Sequence, residues 1–265
     1  MSTAELTVNY SPAYSVTAYL RSLLGSFFAI IVFFLTMIVV IPAIILSLGL
    51  LKNVLIKHFG AFIGRIILLT LGIKLTYDES HYKPNKPAVF ITNHSSTLDL
   101  FTIISMKLPN VRYVAKKELQ YNPLFFVIGR ITGQIFIDRK RSKETILKLQ
   151  KLYDRVKRRN LSLLIAPEGS RKHREIVGQF KKGAFHIARD LGYDIVPVYI
   201  DGAYHLCPGS SMITQSGEVT VRYFPPISFD NLTDEEMNEK IEELRAFYKE
   251  QYRLTFEREG IPIEA

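Results

Sequence analysis

From Ser22 to Leu51 the chain runs thirty residues without a charge, bounded by Arg21 and Lys52. A straight helix of that length measures about 45 Å, against about 30 Å for the hydrocarbon core of a bilayer. The segment must therefore tilt, bend or turn back, and Pro42 near its middle predicts a kink or a re-entrant hairpin. It is too long, starts too late and lacks the basic leader expected of a cleaved signal peptide. The next stretch, Asn53 to Lys74, has Lys52, Lys57, Arg65 and Lys74 on its margins and no acid before Asp78. Such a segment suits the membrane surface, with its apolar face in the lipid boundary. The Lys and Arg excess on this side predicts a membrane protein whose remaining chain is cytosolic. Residues 1–75 are thus read as an N-terminal membrane-anchoring helical region and 76–265 as an α/β domain.

Beyond Leu75 short apolar runs alternate with helical patterns. Strands are predicted near Lys74 to Tyr77, Ala88 to Thr92, Val111 to Ala115, Gln134 to Asp138, Leu161 to Ala166, Ile195 to Ile200 and Val219 to Phe224. Helices fall between them, at roughly Ser96 to Lys107, Pro123 to Ile131, Ser142 to Arg159 and Lys181 to Leu191. The last helix, Asp234 to Phe256, opens with a Thr233-x-x-Glu236 capping box. This alternation predicts an α/β fold with a mixed, largely parallel central sheet flanked by helices, preceded by the membrane-associated helices. Functional residues are then expected on loops at strand ends.

Charge and cysteine content narrow the classes. The net charge is +9, yet Arg139 to Arg189 alone carries sixteen Lys or Arg against four acids. No nucleic-acid recognition motif accompanies that run, so beside an apolar anchor it predicts attraction to anionic membrane lipid and acidic substrates, not to nucleic acid. The one cysteine, Cys207, excludes an intramolecular disulfide and a cysteine-cluster metal site. It lies in HLCPGSS, without a nucleophile signature around it.

The stretch ITNHSSTLDLF (Ile91 to Phe101) sets His94 and Asp99 five positions apart. On one regular helix or strand this spacing points the two side chains in different directions. They can meet only across a boundary, and the sequence supplies one between the Ala88 to Thr92 strand and the helix that follows. Ser95 or Ser96 would cap that helix, with Asp99 in its first turn and His94 just before the cap. The duller alternative is a surface histidine and a helix-start carboxylate. Three further clusters sit at strand ends. GQIFIDRKR ends in Asp138 and Arg139. LLIAPEGSRKHR contains Glu168, Gly169, Ser170 and Arg171. IVPVYI holds Pro197 inside a strand-like run, which predicts an edge or a bulge. Singly, these could be a surface arginine, a local ion pair and a strand irregularity.

Taken in order, NHSSTLD (Asn93 to Asp99), GQIFIDR (Gly133 to Arg139), APEGSR (Ala166 to Arg171) and IVPV (Ile195 to Val198) resemble the four blocks of the glycerophospholipid acyltransferases. The likeness is closest to the PlsC-like 1-acylglycerol-3-phosphate acyltransferases and covers about residues 70 to 230. AKKELQYNPLFFVIG (Ala115 to Gly129) and FKKGAFHIA (Phe180 to Ala188) also resemble that family. Two positions depart from it: Ala166 stands where an aromatic is usual, and Ser170 where a threonine is usual.

The resemblance implies transfer of a fatty acyl group from an acyl-CoA or acyl-carrier-protein thioester to a lysophospholipid, giving phosphatidic acid when the acceptor is 1-acylglycerol-3-phosphate. His94 would be the base that activates the acceptor hydroxyl, and Asp99 would orient its ring. Arg139 and the turn Glu168, Gly169, Ser170, Arg171 would hold the acceptor's phosphate, with Glu168 either orienting an arginine or accepting from an acceptor hydroxyl. Lys117 and Lys182 are further phosphate candidates, and Pro197 is counted among the substrate-contacting positions. Neither a metal nor a cofactor is expected. Glycerol 3-phosphate, another lysophospholipid or an ornithine-type lysolipid are alternative acceptors. A non-catalytic membrane-surface binding protein is the reading from a different class.

Overall fold

In the computed structural model, residues 10, 12–108, 110–137, 143–169 and 176–263 are described. The uncharged segment forms one long helix, α1 (Val16–Leu46), with Pro42 inside it. The chain turns back at 47–51, where Leu48 (φ 50°) and Gly49 (φ 81°) adopt left-handed backbone. The return helix α2 (Lys52–Thr70) brings its end beside the start of α1, since Arg21 Nε donates to Leu71 O at 3.0 Å. The reversal therefore occurs at the glycine rather than at Pro42. Pro42 is accommodated inside α1, whereas the left-handed residues end it.

The domain that follows runs β1 (Ile73–Asp78), β2 (Val89–Thr92), α3 (Leu98–Ser105), β3 (Val111–Lys116), a 3-10 turn (Lys117–Tyr121), α4 (Pro123–Thr132) and β4 (Ile135–Ile137). It continues with α5 (Lys143–Arg158), β5 (Ser162–Ile165), α6 (Gly183–Leu191), β6 (Ile195–Asp201), the short α7 (Ala203–Leu206), β7 (Gly217–Tyr223) and α8 (Asp234–Glu259). The seven strands form one sheet in the order β1-β7-β6-β2-β5-β3-β4. Every neighbouring pair is parallel except β6 with β7. The sheet is thus mixed and largely parallel, as the alternation predicts. The 3-10 turn and α7 are too short to leave a periodic signal.

Strand alternation divides the core in two. Val89 and Ile91 of β2 face α5, α6 and α8, meeting Val156, Phe185 and Tyr248, while Ala88 and Phe90 face Ile67 and Leu68 of α2 and Leu98 and Ile103 of α3. Leu68 and Phe90 are fully buried, each contributing about 2–3 kcal/mol by area. So α2 is a layer of the folded domain, more than the surface-lying segment its flanking charges predict. Gly64 permits its close approach to α3, because a Cβ there would come within 2.6 Å of Phe101 O. In contrast α1 leaves most of its apolar side chains exposed, among them Leu24, Phe27, Phe34 and Ile38. Both helices are long and apolar enough to cross a membrane.

Pro197 lies in β6, which is interior to the sheet, not an edge. Its missing N–H is accommodated by a change of register. Val198 pairs with Tyr223 but Ile195 pairs with Ile227, so residues 196 and 197 face three residues, 224 to 226. The predicted irregularity is a bulge, with the extra residue on the partner segment.

Candidate active site

The register of the central strands sets the site. Val89, Leu163 and Arg112 are paired across β2, β5 and β3. His94, Glu168 and Lys117 each lie five residues beyond these partners, so the three leave their strands at one level, on one edge of the sheet.

At the end of β2, Asn93 continues the pairing with its side chain. Its Nδ2 donates to Ile200 O (3.1 Å) and to the Tyr252 hydroxyl (2.8 Å), and its Oδ1 accepts from Ile200 N (2.8 Å). This pins the backbone just before His94. Asp99, in the first turn of α3 and fully buried, folds back over the loop. Its Oδ2 accepts from Ser95 N (2.7 Å) and Ser96 N (2.9 Å), and lies 3.1 Å from His94 Nδ1. A carboxylate in that position requires the Nδ1–H tautomer, which leaves the Nε2 lone pair free to take a proton. The His94 side chain is 27 % exposed. The boundary thus brings His94 and Asp99 together in the way the spacing predicts.

Both serine side chains are buried and hydrogen-bonded within the fold. The N-cap of α3 is Thr97 rather than Ser95 or Ser96, because the helix starts at Leu98. Ser96 Oγ, one residue before the cap, accepts from Leu98 N (3.1 Å) and donates to Cys207 O (2.6 Å), while Ser95 Oγ accepts from the Tyr252 hydroxyl (2.7 Å). Cys207 is buried, its thiol donates to Ser211 O, and burial pushes its pKa up.

Glu168 is 1 % exposed. One carboxylate oxygen accepts from His94 N (3.3 Å) and the other from Gly178 N (3.0 Å). Both oxygens are engaged by backbone, so this residue braces the His94 loop against the segment that follows β5. Of the two roles the sequence left open, orienting an arginine or accepting from a hydroxyl, neither uses those two contacts. Gly169 has the left-handed φ of 69° that its type suggests. Lys117 and Lys182 are both exposed, the first opening the 3-10 turn after β3 and the second just before α6. Lys181 N donates to Pro167 O (3.0 Å), which ties the start of α6 to the Glu168 turn. Pro197 is buried in β6 opposite Ile91, beneath the site rather than lining it. Arg139, Ser170 and Arg171 lie outside the described residues.

Burial raises the Glu168 pKa to about 7 from an ordinary 4.5; the two backbone donors oppose the rise and the Asp99 charge adds to it. Between those values the folded chain holds a proton that the unfolded chain has released. This group's contribution to stability is therefore present below about pH 4.5 and lost as the pH rises to about 7, by about 3 kcal/mol at 1.4 kcal/mol per pH unit. Thermal unfolding of the native chain and of Glu168→Gln across that window should show the native chain's advantage shrinking by this amount. A difference that stays constant with pH would mean that Glu168 does not titrate there.

Two residues absent from the sequence reading hold the loop from α8. Tyr252 contacts Asn93 and Ser95, and Tyr248 donates to Ile91 O (2.8 Å) and accepts from Val198 N (3.1 Å). Their four-residue spacing with Phe256 marks a buried aromatic stripe, the one sequence signal that could have pointed to them. A cavity of about 650 Å³ opens elsewhere, beside Asp201, His205 and Arg222. There the Asp201 carboxylate is already shared by Arg222, Arg258 and Thr255.

A family model described as Acyltransferase matches residues 74–201, from β1 to the end of β6. The 1-acyl-sn-glycerol-3-phosphate acyltransferase of Cocos nucifera is 32 % identical over 190 residues, covering 72 % of this chain and 61 % of that protein. The Saccharomyces cerevisiae protein of the same name is 34 % identical over 181 residues, covering 68 % and 59 %. This chain thus spans about three-fifths of the length of those two relatives. Among solved structures, the 1-acyl-sn-glycerophosphate (LPA) acyltransferase PlsC of Thermotoga maritima shares the fold with a TM-score of 0.65 at 19 % identity, over 89 % of this chain and 97 % of that one. His94, Asp99 and Glu168 thus lie within the region that matches the Acyltransferase family model.

Proposed function

We propose that the chain is a membrane-bound 1-acylglycerol-3-phosphate O-acyltransferase that moves a fatty acyl group from a CoA or carrier-protein thioester to the free hydroxyl of its acceptor, giving phosphatidic acid. The observation that carries this reading is the His94–Asp99 pair, 3.1 Å apart just beyond the end of the central strand β2, within the region that matches the Acyltransferase model. The names of the relatives support the choice of acceptor.

In this mechanism His94 Nε2 takes the proton of the acceptor hydroxyl as its oxygen attacks the thioester carbonyl carbon. The new C–O bond forms, the C–S bond breaks, and the imidazolium returns the proton to the departing sulfur. Asp99 keeps the ring in the Nδ1–H tautomer and stabilises the imidazolium. Because both serine hydroxyls of the loop are committed to structural bonds, transfer is direct and no acyl-enzyme forms. Lys117, level with His94, and Lys182, beside the Glu168 turn, would attract the acceptor's phosphate; Arg139, Ser170 and Arg171 are assigned to the same phosphate by the family resemblance alone. Residues 1–75 hold this domain at the bilayer, on the cytosolic face, where both lipid substrates reside.

The test is labelled acyl transfer by the full chain in detergent micelles. CoA and carrier-protein thioesters are compared as donors, and 1-acylglycerol-3-phosphate, glycerol 3-phosphate and lysophosphatidylcholine as acceptors. The phosphomonoester lysolipid should be preferred by about tenfold or more, the scale of a charge-assisted phosphate contact. A higher rate with another acceptor would replace this substrate assignment, and no transfer with any pair would remove the reaction.

A further inference from the structure

A second group of cations gathers at the sheet edge opposite His94. Arg112 is level with Val89, five residues before the level of His94, which is about 16 Å at 3.3 Å per residue. It is 5 % exposed, and its guanidinium donates to Val111 O and Asn53 Oδ1, both uncharged. Lys52, the first residue of α2, converges on it. Its Nζ is 2.8 Å, and Arg112 Nε 3.6 Å, from the point that a Cβ on the left-handed Gly133 would occupy. The chain just after α5 runs beside the start of β3, where Ser162 N donates to Asn110 O (3.2 Å), and the charges of Arg155, in the last turn of α5, and Arg159, directly after it, act on both Lys52 and Arg112. Burial, followed by the charges of Arg155 and Arg159, holds the Arg112 guanidinium below the ordinary arginine range. Among the described residues no carboxylate forms an ion pair with any of the four.

A buried guanidinium with neutral partners and like charges around it is unfavourable alone and favourable once an anion enters. Arginine forks suit the oxygens of a phosphate. The source of that phosphate is indicated by the hairpin tip just before Lys52, where Leu46, Leu48 and Leu50 are 83 %, 92 % and 85 % exposed. A tip of this kind inserted in lipid sets Lys52 at head-group depth. We propose that Lys52, Arg112, Arg155 and Arg159 form a binding site for the phosphate of an anionic phospholipid of the host bilayer, separate from the acceptor's phosphate site near His94. The inference rests on the membrane-anchor part of the proposed function and not on acyl transfer.

The test uses the full chain transferred from detergent to vesicles of phosphatidylcholine alone or mixed with phosphatidylglycerol, with binding read by flotation. Arg155→Gln with Arg159→Gln, both exposed, should cut the affinity gained from phosphatidylglycerol by about ten- to thirtyfold, at about fivefold per basic residue near an anionic surface. Lys52→Gln, on a different element, should cut it by about fivefold. Lys83→Gln with Lys240→Gln removes two charges elsewhere, before β2 and on α8, and should change it less than about twofold. Equal losses in both pairs would mean that a diffuse basic surface is responsible and would overturn the site. So would inorganic phosphate that abolishes the phosphatidylglycerol preference at constant ionic strength, which would assign the site to free phosphate. Because flotation involves no turnover, failure of the acyl-transfer reading would leave this result standing. Acyl transfer by the variants in micelles should match that of the native chain.

Discussion

His94→Ala will lower acyl transfer by about 10³-fold, within the range that a positioned general base contributes, while leaving the fold intact. The side chain is partly exposed and, among the described residues, bonds only through Nδ1 to Asp99, which keeps the backbone donors Ser95 N and Ser96 N when the imidazole is gone. The expected cost in stability is therefore about 1 kcal/mol or less. Circular dichroism and thermal unfolding establish folding, and single-turnover transfer in micelles reads the chemical step. Added imidazole should restore part of the rate by occupying the vacated space beside Asp99. Transfer at the native rate in a folded His94→Ala protein would show that another group accepts the proton.

Much of this site is legible in the sequence because its central elements are local. The boundary between a buried strand and an apolar helix is written within Ala88 to Phe101, and it alone determines that Asp99 can reach back to His94. The parallel sheet follows from alternation, and its register then brings Glu168 and Lys117 to the level of His94. What the sequence does not show comes from distant chain segments. Tyr252 reaches Ser95 across 157 positions and Tyr248 reaches Ile91 across the same separation, from a helix whose pattern declares a buried face but not its partner. Glu168 is similar: its position in a Pro-Glu-Gly turn is visible, but its bond to His94 N depends on how two loops are brought together by β2 and β5. Pro197 predicts an irregularity, but its extra residue falls on the partner segment, and Pro42 predicts a bend, but the reversal falls at Leu48 and Gly49, whose left-handed backbone ends the helix.

Asp99→Asn should separate charge from geometry at this site. Asp99 Oδ2 carries all three contacts of the side chain, while Oδ1 is buried without a partner among the described residues. An asparagine oriented with its oxygen at the Oδ2 position keeps the bonds from Ser95 N, Ser96 N and His94 Nδ1–H. Its amide nitrogen replaces one orphaned atom by another. The loop and the tautomer are therefore preserved, and the stability change should be within about 1 kcal/mol. The negative charge facing the imidazolium is lost, in a place where Asp99 has no exposure and water cannot compensate. That charge matters only while His94 carries the proton, so kcat should fall by about 10²- to 10³-fold with KM for both substrates nearly unchanged. Stopped assays over a range of acceptor concentrations, with thermal unfolding of the same preparation, give both quantities. A rise in KM at native kcat would make Asp99 a substrate-positioning group, and an unfolded variant would make it a structural one. If kcat falls alone, the carboxylate acts on the proton-bearing histidine, and the five-residue spacing is the chemical signature of the site.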